Sequence, residues 1–374
     1  MDFDLPGEDD AYRSDIRAWI EANPRPTGRA LAEAGLVAPH WPAPWGRDAT
    51  PIQQLVIDAE LRRAGISRPV NPIGIGWAGP TILYAGSDEQ KDRYLMPLLA
   101  GEELWCQLFS EPEAGSDLAG LRTRAVRDGE EWVVSGQKIW TSIGHVAKFG
   151  ILIARTDPDA PKHTGISYFI CPMSTPGITV RPIPDMTGGH TFNEVFFDEV
   201  RLPASGLVGD VNGGWALAKV TLGNERVSLS GEGALWGRGP TAGDLIELVR
   251  TQGGSSDPLV RQRLARLFTE SEILRLIRLR TVTAAVQGRP PGAEASVRKA
   301  LSDHHGQVIM GLAKDLCGPQ GMLSDAGPMG VADPQWHYGY LFAPALTIGG
   351  GTSEVQRNII GERVLGLPHD IEVR

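Results

Sequence analysis

EWVVSGQKIWTS (Glu131–Ser142) sets Val, Ile and Trp at high density directly after the turn signal Asp128-Gly129. Such a run is too short for a helix and rich in the residues that fit a pleated, half-buried surface. Runs of the same kind follow: KFGILIART (148–156), TGISYFICPM (164–173), GITVRPI (177–183) and FNEVFFDEVRLP (192–203), separated by turns such as Thr175-Pro-Gly177. This spacing is that of a small sandwich or barrel, and it predicts an all-β middle domain over 106–209.

On either side the period lengthens. DDAYRSDIRAWIEANP (9–24), TPIQQLVIDAELRRAG (50–65) and GPTILYAGSDEQKDRYLMPLLAGE (79–102) place apolar residues three and four apart, as amphipathic helices do. After Asn212-Gly213-Gly214 the helical pattern returns and continues to SEVQRNIIGERVLG (353–366), broken by GGSSDP (253–258) and GRPPGAE (288–294). The expected fold is therefore an α+β multidomain chain: an all-α N-terminal domain over 1–105, the β domain, and an α-helical bundle over 210–374.

The chain has 374 residues, enough for two or three domains, and a net charge of −9. An acidic chain lacks the basic footprint that nucleic acid requires, so no nucleic-acid partner is expected. No apolar run reaches the ~18 residues of a membrane span, and the acidic N-terminus has no signal-peptide pattern. Cys106, Cys171 and Cys317 are scattered without a metal-ligand spacing, which points to a reduced, cytoplasmic protein with no structural metal.

Four places carry candidate chemistry. In Phe109-Ser-Glu-Pro-Glu-Ala-Gly-Ser116, Pro112 sets a turn, Gly115 allows close approach, and Ser110 and Ser116 offer donors to a ring edge or a phosphate. The same features also suit an ordinary capped β-turn. Trp140 ends a strand-like run, and taken alone it reads as core. At about 100° per residue, Trp215, Ala218, Leu222, Glu225 and Leu229 fall within an arc of about 80°, which sets a carboxylate in an apolar stripe. Glu225 is either a buried ion-pair partner, a solvated residue beyond the stripe, or a functional acid. Lastly, Gly349-Gly350-Gly351 precedes a helix start at which Thr352 can cap and Glu354 can favour the dipole.

The blocks GPTILYAGSDEQKDRYLMPLLAGE (79–102), WCQLFSEPEAGSDLAGLRTRA (105–125), GEEWVVSGQKIWTS (129–142) and GGGTSEVQRNIIGERVLGLP (349–368), in this order along nearly the whole chain, resemble the acyl-CoA dehydrogenase family. The resemblance implies FAD as cofactor and an acyl-CoA substrate, whose α-proton goes to a carboxylate base while the β-hydrogen leaves as hydride to flavin N5. It places Gln107, Phe109, Ser110, Gly115 and Ser116 in a flavin loop, with Ser116 also at the acyl-CoA edge. Trp140 lies against the ring, and Ser142 stands where the family often has Thr. Thr352 and Glu354 match positions near the flavin pyrophosphate or adenine. The family carries its base at one of two positions: here one is Gly350, which has no side chain and would open the pocket wall, and the other is Glu225, with Arg226 orienting the helix or its carboxylate neighbours; Arg226 and Gly350 count with Ser116 as substrate-binding.

Two segments depart from the family pattern. The Arg-x-x-Phe-Gly flavin clamp becomes Arg250-Thr-Gln-Gly-Gly254, which keeps the cation without the Phe, and the adenine-side residues become Asp315 and Gly318-Pro-Gln-Gly321. In the family these segments serve a neighbouring subunit. Their alteration implies an α2β2 heterotetramer with a second dehydrogenase-like subunit, as known for steroid-derived thioesters, beside the family's usual homotetramer. Electron-transfer flavoprotein is the acceptor the resemblance implies. Two other functions stay open: a catalytically silent or half-site partner subunit, and an oxygen-using acyl-CoA oxidase or flavin monooxygenase of the same fold.

Overall fold

Short polar signals start the helices. Thr50 and Ser87 each accept a hydrogen bond from the backbone three residues on, while Gln53 and Gln90 reach back to the capping residue, so both ends form reciprocal capping boxes. The computed structural model describes residues 7, 8, 10–228, 233–236, 238–251, 256–286, 292–323 and 334–369, without the side chains of 226–228, 282, 285 and 286. Its first helices are α1 (Ala11–Ala22), α2 (Gly28–Glu33), α3 (Pro51–Arg63), α4 (Gly79–Ala85) and α5 (Asp88–Leu99), with a π-helical turn, Gly74–Ala78, leading into α4.

The strands are β1 (Trp105–Leu108), β2 (Arg124–Asp128), β3 (Glu131–Lys138), β4 (Phe149–Arg155), β5 (Ile166–Pro172), β6 (Ile178–Ile183), β7 (Phe192–Pro203) and β8 (Leu207–Val208). They form one sheet in the order β6-β7-β3-β2-β4-β5-β8, with β1 added on β4. β1 and β2 run parallel to β4, and the remaining pairs are antiparallel. Leu108, Trp132, Val134, Leu152, Phe169, Val195 and Leu202 bring five strands onto one apolar core. β4 is buried along nearly its whole length, because its other face is covered too: Tyr94 of α5 packs edge-on against Trp105 and Phe149 at centroid distances of 5.6 and 5.2 Å. Gln90 ties α5 to the last strand by donating to the Ser205 and Leu207 carbonyls, both at 2.8 Å.

Helix α6 (Gly214–Ser228) follows the sheet. Its first residue lies so near β5 that a Cβ there would sit 2.5 Å from the Ser167 carbonyl carbon and 2.7 Å from the Tyr168 nitrogen. Only glycine permits that approach. Asn212 N–H donates to Ser167 Oγ at 2.8 Å just before it, so the helix leaves the sheet from a fixed point.

The chain divides within α6 into two compact units, residues 2–224 and 225–374. The second contains α7 (Ala242–Thr251), α8 (Pro258–Val286), α9 (Ala295–Cys317), α10 (Gln335–Phe342) and α11 (Ser353–Ile359). Leu245, Leu267, Ile309, Met310, Leu312, Trp336 and Leu346 make its core. Within that core α9 carries a fully buried ion pair, Lys299 with Asp303. Among the described residues no helix is long and apolar enough to cross a membrane, and no group of His, Cys, Asp or Glu is arranged to hold a metal ion.

Gly214→Ala forces a methyl against backbone atoms that no rotamer change can relieve, and is expected to destabilise the protein by roughly 1–3 kcal/mol. A lowered urea midpoint checks this, and an unchanged midpoint contradicts the close seating of α6.

Candidate active site

The loop after β1 is a tight turn in which Glu111 and Ala114 exchange two backbone hydrogen bonds, each 3.1 Å long. Pro112 sits inside it, as its fixed φ suits. Beneath the turn lies a feature that the motif reading missed. Lys138, at the end of β3, is 0% exposed, and its Nζ donates to the Phe109 carbonyl at 2.9 Å and to Glu111 Oε1 at 2.8 Å. The Glu111 carboxylate also accepts the backbone N–H groups of Arg122 at 2.7 Å and Thr123 at 2.9 Å. Burial pushes the Glu111 carboxyl up, but Lys138 and these donors outweigh it and hold it below the usual carboxylate range. Burial also pulls the Lys138 ammonium down, against the attraction of Glu111. A signal was present in the sequence: β3 buries Trp132 and Val134, and Lys138 has the same parity.

Directly beyond the pair, Ile139 N–H donates to the Ser110 carbonyl at 2.9 Å, so the Phe109–Ser116 loop and the Trp140–Ser142 segment lie side by side. Trp140 is not core, contrary to what its residue type alone suggests. It is 58% exposed, beyond the end of β3, with φ at +61°, a left-handed conformation that costs a bulky residue energy. Strain of this kind persists where the surroundings over-determine it. Here the fully buried Asn193 does so: its Nδ2 donates to the Thr141 carbonyl at 2.9 Å, and its own carbonyl accepts Thr141 N–H at 3.0 Å. Thr141 Oγ1 is buried with no hydrogen-bond partner among the described atoms.

An exposed indole held in a strained turn, an unsatisfied Thr141 hydroxyl and the half-buried hydroxyls of Ser110 and Ser142 suit a flat heteroaromatic ring with polar edges. These residues fit the isoalloxazine of FAD. Ser116 is exposed, and no atom lies within 4 Å of where a Cβ on Gly115 would sit, so the space beside the loop is open. Gln107, on β1 opposite Ile151, is half-buried one strand position before Leu108.

On α6 the buried arc differs from the expected stripe. Leu217, Ala218, Thr221 and Glu225 are buried, while Trp215 and Leu222 are only half so, and Leu229 lies outside the described residues. At about 100° per residue the buried set spans an arc of about 100°, displaced towards Thr221. Glu225, 6% exposed, falls well inside it, which excludes the solvated reading. The Arg226 side chain lies outside the described residues.

In the second unit, Gly350 and Gly351 adopt φ of +68° and +90°, which favours glycine over any carboxylate-bearing residue. The fully buried Gln356, also unforeseen, holds both carbonyls, with Nε2 at 3.0 Å from Gly350 O and 3.2 Å from Gly351 O. Thr352 caps α11 by accepting Val355 N–H at 3.3 Å, and Glu354 is exposed beside Arg357. Together with His304 and Gln307 of α9 they line a pocket of about 410 Å³. Arg250 is exposed in the last turn of α7 and pairs with Glu247 at 3.1 Å, while 252–255 lie outside the described residues.

The chain matches the family models of the acyl-CoA dehydrogenase N-terminal domain over 9–102, middle domain over 106–200 and C-terminal domain over 212–365. It is 46% identical over 340 residues to acyl-CoA dehydrogenase FadE34 of Mycobacterium tuberculosis, covering 91% of this chain but only 46% of that protein, so the chain spans about half the length of this relative. It is 38% identical to acyl-CoA dehydrogenase IpdE1 of the same organism, over 98% of this chain and 91% of that one. Two solved structures superpose with 30% identity, covering 99% of this chain and 100% of theirs: a steroid ACAD, Tcur3481–Tcur3483, at a TM-score of 0.81, and the ChsE4–ChsE5 complex from Mycobacterium tuberculosis at 0.79. With three consecutive domain models matched across the chain and a site that fits flavin, the chain belongs to the acyl-CoA dehydrogenase family of FAD-dependent oxidoreductases.

Proposed function

We propose that this chain desaturates an acyl-CoA thioester between its α and β carbons, with Glu225 as the base that removes the α-proton. The observation that carries this is a carboxylate 6% exposed inside the buried arc of α6, while the family's other base position is a glycine at φ +68°. When bound, FAD supplies the acceptor for the β-hydride. The chain's own residues do the rest. A carboxylate screened from water is a stronger base than one in solvent, because desolvation disfavours its charged form. The thioester oxygen gains negative charge as the proton leaves, and a hydrogen-bond donor must meet it. Trp140 and the hydroxyls of Ser110 and Ser142 orient the ring, Thr352 and Glu354 serve the pyrophosphate or adenine of a flavin, as family positions commonly do from a neighbouring subunit, and Arg226 orients its helix or the carboxylates beside it.

The substrate class we infer is a bulky, ring-bearing acyl chain, and the assembly is an α2β2 oligomer with a second dehydrogenase-like subunit. Support comes from the likeness to a steroid ACAD and to the two-chain ChsE4–ChsE5 complex, and from the Arg250 segment, which lacks the Phe of the family pattern. Exposed Leu259, Phe268, Ile273 and Leu276 along α8 give a subunit partner apolar surface to cover. Electron-transfer flavoprotein is the proposed acceptor. A half-site partner without turnover is the second reading, favoured by the lost Phe of the Arg250 segment.

Co-expression with a dehydrogenase-like partner, followed by anaerobic mixing with a panel of acyl-CoAs, tests the reading through bleaching of the flavin absorbance. Glu225→Gln should keep its FAD and bind acyl-CoA yet lose turnover by roughly 10²–10⁴-fold. Near-normal turnover would refute the assignment. Lys138→Met strands the Glu111 carboxylate, and should cost about 3–5 kcal/mol of stability together with much of the bound flavin. Thermal melting and the flavin-to-protein ratio check this, and adding Glu111→Gln should recover part of both.

A further inference from the structure

Three buried hydroxyls form a line through the first unit. Tyr168 OH of β5 lies 3.0 Å from Thr221 Oγ1 of α6, which lies 2.8 Å from Thr81 Oγ1 of α4. Thr81 Oγ1 in turn lies 3.0 Å from the carbonyl oxygen of Trp77, inside the π-helical turn. All three side chains are 0% exposed. Each hydroxyl has a single proton, so the line has one ordering that uses every contact: Tyr168 donates to Thr221, Thr221 to Thr81, and Thr81 to Trp77. Thr221 has a competing acceptor in the Leu217 carbonyl of its own helix at 3.1 Å. If its proton goes there, Thr81 must choose between α6 and the π turn.

Packing alone does not require these hydroxyls. Val at 221 and Phe at 168 would fill nearly the same volume, and replacing a paired buried polar set by apolar groups of the same shape is often close to neutral for stability. What hydroxyls add is direction, since a hydrogen bond weakens steeply when its angle opens. Gly214 fixes where α6 leaves the sheet, and Thr221 is the next point at which it is gripped. Glu225 stands four residues further on, about 40° around the same helix face. A rotation of α6 that broke the Thr221 contacts would swing Glu225 with it. At the far end of the line the π turn, a form of helix found often at functional sites, presents its Trp77 carbonyl to Thr81.

We propose that Tyr168, Thr221 and Thr81 are positioning residues that fix the rotation of α6, and with it the place of the Glu225 carboxylate, from the π turn Gly74–Ala78. The proposal rests on Glu225 being the base. It adds that the rotation of α6 is set through one file of hydroxyls, so a change at the π turn alters proton removal by way of the helix.

The test uses the flavin-loaded protein with whichever acyl-CoA bleaches it, and compares Tyr168→Phe, Thr221→Val, Thr221→Ser and Glu225→Gln. Tyr168→Phe should keep its flavin content and melting temperature, and so should Thr221→Val when combined with Tyr168→Phe, since Thr221→Val alone strands the buried Tyr168 hydroxyl. Their bleaching rate at saturating acyl-CoA should fall roughly 10- to 100-fold, the scale set by a misplacement of about 1 Å. The half-saturating acyl-CoA concentration should change little, and Thr221→Ser, which keeps the hydroxyl, should restore the rate. Wild-type bleaching in Thr221→Val and Tyr168→Phe overturns the proposal, as does loss of flavin and melting temperature in step with rate in Tyr168→Phe, which marks a merely structural role. Failure of Thr221→Ser to recover the rate also overturns it. If Thr221→Val does not fold, Tyr168→Phe carries the comparison. Wild-type bleaching by Glu225→Gln overturns the base assignment itself, independently of the hydroxyl variants.

Discussion

The first unit depends on one buried ion pair. Lys138 and Glu111 come from segments 27 residues apart, and between them they engage the Phe109 carbonyl and the N–H groups of Arg122 and Thr123. A buried pair of this kind is weak evidence for net stability, since desolvation consumes most of the attraction. Its value is geometric. It closes the turn after β1 onto the end of β3, and so brings Ser110 beside Ile139 and lets Trp140 be held out in a left-handed conformation. Without that junction the Phe109–Ser116 loop and the Trp140–Ser142 segment would be separate loops with no common frame.

The same logic recurs around α6, where polar contacts set direction and apolar contacts set depth. Gly214 brings the helix against β5, and the Thr221 hydroxyl ties it to Tyr168 and Thr81; Glu225 is buried on the same helix although Trp215 and Leu222 are partly exposed. In the second unit Gln356 plays the corresponding part, gripping the carbonyls of two glycines whose positive φ other residues adopt only at a cost. Gly350 is thus a backbone feature with its own hydrogen-bond partner as well as a position without a base.

What could be read in the sequence was local. The change from helical to strand periodicity near residue 105 and back near 214, the capping boxes of α3 and α5, the turn at Pro112 and the cap at Thr352 are all decided by residues within a few positions of one another. What could not be read depends on distant pairs: Asn193 meets Thr141 across 52 positions and Thr81 meets Thr221 across 140. The stripe on α6 was misaligned for a related reason. Counting apolar residues centres it between Trp215 and Glu225, whereas the buried face also takes in Thr221, a polar residue whose hydroxyl is paired with Tyr168 and Thr81. The π turn has no residue pattern of its own, and Trp140 looked like core because indole usually is.

The central claim is that Glu225 faces the carbon that loses its proton. A crystal structure of the assembled, FAD-loaded protein with a non-reacting acyl-CoA analogue tests it most directly. The Glu225 carboxylate should then lie about 3–3.5 Å from the α-carbon, on the face opposite the flavin ring. A different carboxylate at that distance, or a Glu225 side chain turned into an ion pair away from the thioester, would contradict it.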